Sequence, residues 1–79
     1  MRDFYRYVEG YLRKNDLGCW EIHELKLGSG SLLEVLSDQG WMTGVIERDG
    51  GGYVFFDLRN HTYAGLVDGL QARIRVTFH

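Results

Sequence analysis

The stretch "VIERDGGGYVFF", residues 45–56, sets three glycines behind an aspartate and between two apolar runs. Such a stretch either wraps a phosphate or turns the chain round. A phosphate-binding P-loop needs G-x-x-x-x-G-K-[ST] between a strand and a helix, because the lysine and the hydroxyl complete the site. Neither residue follows here. The dinucleotide pattern G-x-G-x-x-G fails as well, since "GGGYVF" runs into a strand and offers no helix N-terminus to receive an anion. The glycines therefore read as the turn of a β-hairpin.

The flanks bear on its register. A two-residue loop, Gly50-Gly51, pairs Ile46 with Phe55 and Val45 with Phe56 and leaves both faces mixed. A three-residue loop, Gly50 to Gly52, pairs Ile46 with Phe56, Arg48 with Val54 and Gly44 with Leu58, which gathers Met42, Ile46, Val54, Phe56 and Leu58 on one face. One glycine then occupies the left-handed position such a loop requires, and the three-residue loop is preferred. Trp41, Thr43, Val45, Glu47, Tyr53, Phe55 and Asp57 then share the opposite face, unusually aromatic for a surface that meets water.

Working outward, residues 3–15 place Phe4, Val8, Tyr11 and Leu12 at intervals of four, three and one, the spacing of a helix face, with Asp3 as N-cap and Arg13 and Lys14 at the end favoured by the helix dipole. This predicts an N-terminal α-helix over 1–17 that covers the aromatic face, unless another molecule covers it. After Gly18 the period falls to two. Trp20, Ile22 and Glu24 alternate, Leu25 and Leu27 continue in the opposite phase, and an irregularity near residue 24 is expected. Strands follow at 32–36, 41–48 and 53–58, then a longer link from Asn60 to Gly69, then 70–78. In that last strand Leu70, Ala72, Ile74, Val76 and Phe78 point one way, and Gln71, Arg73, Arg75 and Thr77 the other.

At 79 residues the chain has room for one domain and one small core. Deep catalytic clefts are hard to build at that scale. A single cysteine, Cys19, cannot form an internal disulfide, and no charged-then-apolar leader is evident, so a cytoplasmic setting is expected. No apolar run approaches the roughly 20 residues of a membrane span. Net charge is −2 and the basic residues are dispersed, which disfavours a general nucleic-acid binder, whose affinity comes from concentrated Lys and Arg.

Candidate chemistry is thin. Cys19 and His23 sit four residues apart on an expected strand, about 13 Å, too far for a thiol–imidazole pair. Cys19, His23, His61 and His79 could ligate zinc by type but lack the close-spaced pairs of structural sites, so no metal and no cofactor are expected. The carboxylates Glu21, Glu24, Glu34, Glu47 and Asp57 are scattered. No catalytic residues are assigned and the chain reads as a non-enzyme.

Short strands joined in order by tight turns suggest a small, mainly-β member of the α+β class: an SH3-like antiparallel barrel over 19–79 behind the N-terminal helix, forming a single domain over 1–79. Within it, Gly30, Leu33-Glu34-Val35, Trp41, Ile46-Glu47, Asp49-Gly50, Tyr53, Gly69 and Ala72-Arg73-Ile74 form a pattern across residues 28–76. That pattern resembles an uncharacterised family of small domains from Gram-positive bacteria, their phages and conjugative elements. The resemblance implies no catalytic role. The function expected is a protein-binding module using Trp41, Val45, Tyr53 and Phe55, with a partner protein or a second copy as occupant; by analogy with small phage domains, the partner would be a host complex such as a defence system. The alternative is a single-stranded nucleic-acid binder with Arg48, Arg73 and Arg75 as its basic stripe and aromatics for stacking.

Overall fold

The structure, a computed structural model, describes residues 4–78. The described chain is all β, with nine strands: β1 Phe4–Tyr11, β2 Arg13–Lys14, β3 Trp20–Ile22, β4 Leu25–Leu27, β5 Leu32–Ser37, β6 Gly40–Asp49, β7 Gly52–Asp57, β8 Thr62–Gly65 and β9 Gln71–Phe78. Six form one antiparallel sheet in the order β1-β9-β5-β6-β7-β8, and β2, β3 and β4 form a second.

The expected N-terminal helix is absent. Residues 4–11 pair with 71–78 along their whole length, Val8 opposite Ile74 and Tyr7 opposite Arg75. Two periodicities compete in "FYRYVEGY": the four-three-one spacing of a helix face, and the alternation of Tyr5, Tyr7, Glu9 and Tyr11. The second prevails because aromatic residues favour strands, Gly10 penalises a helix, and the complementary strand β9 gives every residue a partner. Asp3, the expected N-cap, lies outside the described residues. The expectation of a small, mainly-β sheet fold agrees with the two sheets, the larger with β1 and β8 at its edges.

The chain leaves β1 for the small sheet at Leu12. Its N–H donates to the Leu70 carbonyl and its own carbonyl accepts from Gly69, so the fully buried side chain is pinned between the layers. The core lies between the sheets: Leu12, Trp20, Ile22 and Leu27 on one side, Leu33, Val35, Ile46, Phe55 and Ala72 on the other. The phase reversal after Trp20 is a two-residue hairpin loop. His23 and Glu24 both have positive φ, 49° and 69°, as in a type I′ turn, and Ile22 pairs with Leu25.

The glycine stretch is a hairpin, in the other register. Ile46 pairs with Phe55, Val45 with Phe56 and Asp49 with Gly52, so the loop is Gly50-Gly51; only Gly50 has positive φ, the pattern of a type II′ turn. The apolar count that favoured three residues treated Gly44 as an empty position. It is a cradle: a Cβ there would lie 2.4 Å from Cζ of Phe55, whose ring fills the space over the glycine. Phe55 is thus 2% exposed beside Ile46 at 0%. The link expected from Asn60 to Gly69 contains a further strand, β8, paired with β7.

Candidate functional site

Pairing fixes which side chains share each face of the six-stranded sheet. The inner face, under the small sheet, carries Val8, Ala72, Ile74, Leu33, Val35, Ile46 and Phe55. The outer face carries the opposite parity: Tyr5 and Tyr7 from β1, Arg73 and Arg75 from β9, Leu32 and Glu34 from β5, Trp41, Thr43 and Val45 from β6, Phe56 from β7 and Tyr63 from β8. No described element packs over it, and Tyr5, Leu32 and Tyr63 are 57%, 56% and 64% exposed.

Arg73 organises the centre of this face. Its guanidinium lies between the rings of Tyr7 and Trp41, 4.1 Å from each centroid. Nε and Nη2 both donate to Oε1 of Glu34, at 3.3 and 2.9 Å. A cation–π contact and a carboxylate hydrogen bond draw on different parts of a guanidinium and can be made together. Arg75 lies 5.0 Å from the Tyr5 centroid. Beside these, Phe56 packs against Tyr63 with centroids 4.8 Å apart and edge-on to His61 at 6.0 Å.

Of the residues expected to bind a partner, Trp41 and Val45 stand on the outer face, while Tyr53 and Phe55 point inward. The one-residue change of register exchanges them for Val54 and Phe56. The basic stripe does not assemble. Arg48 shares the parity of Ile46 and lies near Tyr53, 6.0 Å from its ring, on the opposite side from Arg73 and Arg75. Tyr5, Tyr7, Phe56 and Tyr63 were missed as outer-face residues. The tyrosines carried a signal in their i, i+2 spacing, but the Arg73–Glu34 pair, 39 residues apart in sequence, carried none.

His23 stands over Gly10, and its Nε2–H donates to the Glu9 carbonyl at 2.7 Å, tying the small hairpin to β1. Cys19 is free and half-buried. His79 lies outside the described residues. Among the described residues no group of three His, Cys, Asp or Glu is placed to hold a metal ion. Among the described residues no helix is long and apolar enough to cross a membrane.

Asp57 is the buried carboxylate among the described residues. It accepts from the backbone N–H of Arg59 at 2.9 Å and from the side-chain amide of Asn60 at 2.9 Å, closing the β7–β8 turn. The Arg59 N–H holds its pKa below the usual carboxylate value against the opposing effect of burial, helped by the Asn60 donors and the Arg59 charge. Asn60 also gives its backbone N–H to the same carboxylate, at 3.4 Å.

A family model described as a domain of unknown function (DUF5348) matches residues 10–74, most of the chain, and the chain belongs to that family. No curated protein matches, and no solved structure matches.

Proposed function

We propose that this member of the DUF5348 family is a non-enzymatic protein-binding module whose contact surface is the outer face of the six-stranded sheet. One observation carries it: the inner face has a covering layer, whereas the outer one displays Tyr5, Tyr7, Leu32, Phe56 and Tyr63 around a fixed Arg73 with nothing from the described chain above them. Aromatic residues with arginine are the composition enriched at the centres of protein interfaces. Ordered tyrosines lose little entropy on contact, and a sheet face holds them on rigid backbone. The kinship to phage and conjugative-element domains suggested by the sequence fits a small inhibitor of a host complex in a reducing compartment.

The test is capture from a lysate of the source organism by wild type and by Tyr7→Ser/Tyr63→Ser, with thermal melts to show that both fold. Proteins retained by wild type and lost by the variant support the reading; the same proteins held equally by both overturn it. Affinity that falls steeply with salt would point instead to single-stranded nucleic acid.

A further inference from the structure

A depression of about 280 Å³ opens on the outer face, lined by Tyr7, Leu32, Leu33, Glu34, Thr43, Arg73 and Arg75. β5 and β6 contribute Leu32, Leu33, Glu34 and Thr43 to it, and β1 and β9 contribute Tyr7 and the two arginines. The two guanidiniums differ in what they have left to give. Arg73 lies 4.1 Å from the centroids of two rings and is already paired with Glu34. Arg75 is exposed, rests near Tyr5, and has no ion-pair partner among the described residues. A guanidinium resting on an aromatic ring keeps its N–H donors, and their fork matches a carboxylate.

We propose, resting on the protein-binding function above, that this depression receives an acidic side chain, aspartate or glutamate, from an otherwise apolar segment of the partner protein. Arg75 is its cation, and Leu32 and Tyr7 are the surfaces for the neighbouring apolar residues. Charge complementarity selects a single carboxylate over a nucleic acid. Glu9, Glu34 and Glu47 share this face and the chain is net acidic, so a strand with a phosphate at every nucleotide meets repulsion. A lone carboxylate meets Arg75 away from Glu9 and Glu47, and the charge of Glu34, which lines the depression, is offset by its ion pair with Arg73.

The experiment uses the full chain and a displayed library of random 12-residue peptides, with selected peptides remade and their affinities measured by calorimetry. Enriched peptides are expected to carry Asp or Glu next to an aliphatic or aromatic residue and to lose tenfold or more in affinity on Arg75→Gln. Arg48→Gln, on the opposite side, should leave binding within twofold. Exchanging charges, Arg75→Glu against the same peptide with its acid replaced by lysine, should restore much of the loss. Binders that are lost on Tyr7→Ser yet indifferent to Arg75→Gln would overturn the carboxylate site and leave the protein-binding face standing. Binders indifferent to both would overturn both. Tight binding of a 12-nucleotide oligo-dT that Arg75→Gln abolishes would overturn the choice of a carboxylate over a phosphate.

Discussion

Replacing Gly44 with alanine tests the packing on which the outer face depends. The added Cβ would lie 2.3 Å from the Phe56 carbonyl oxygen and 2.4 and 2.6 Å from two ring carbons of Phe55. Ordinary contacts begin about an ångström further out, the oxygen belongs to the backbone of a paired strand, and the ring is buried. Overpacking of this kind costs about 3 kcal/mol at the upper end of the usual range. The entropy that alanine removes from the unfolded chain returns about 0.4–1 kcal/mol. A net loss of about 2–2.5 kcal/mol lowers the Tm of a domain this size by roughly 10–20 °C. The assay is thermal and urea unfolding followed by circular dichroism, with Gly51→Ala as control. Gly51 has no atom within 4 Å of its would-be Cβ and no positive φ, so that variant should melt within about 4 °C of wild type. A Gly44→Ala protein as stable as the control would refute the reasoning, because Phe55 would then not pack over Gly44 and the pairing of Ile46 with Phe55 would be wrong.

Arg73→Lys keeps the charge but loses the planar stacking between Tyr7 and Trp41, and should cost about 1 kcal/mol in urea denaturation; an unchanged midpoint would mean that the sandwich contributes nothing. Asp57 has a folded-state pKa below its unfolded one, so its contribution is present above the ordinary carboxylate value and is lost as pH falls through the folded pKa. Urea midpoints from pH 7 to 2 should therefore fall more for wild type than for Asp57→Asn, and parallel curves would show that Asp57 is not the group responsible. Gly10→Ala should displace the His23 ring and cost about 1 kcal/mol, chiefly the bond to the Glu9 carbonyl. Adding His23→Ala should cost little more, whereas fully additive losses would place the two residues in separate interactions.

The hairpin at the triple glycine and the amphipathic last strand were legible because each is a local pattern: a turn residue at the right place, or strict alternation. What was misread depended on partners distant in sequence. Residues 4–11 satisfy a helix and a strand about equally by spacing, and only β9 decides between them. The register at residues 45–56 was misjudged because a glycine counted as nothing, when the missing side chain is what lets Phe55 turn inward. That single residue exchanged half of the candidate face: Trp41 and Val45 kept their place, and Tyr53 and Phe55 gave way to Val54 and Phe56. Leu12 could be read as apolar but not as the point where the chain changes sheets, since the bonds that hold it come from Gly69 and Leu70. The Arg73 sandwich likewise draws on four strands at once.

The most direct measurement is a set of cross-strand nuclear Overhauser contacts on labelled protein. Backbone contacts joining Ile46 to Phe55 and Val8 to Ile74, with the Tyr5 and Tyr7 rings open to a solvent paramagnetic probe, are the result expected of an uncovered aromatic sheet face. Contacts joining Ile46 to Phe56, or sequential amide contacts running helically through residues 4–11, would contradict it.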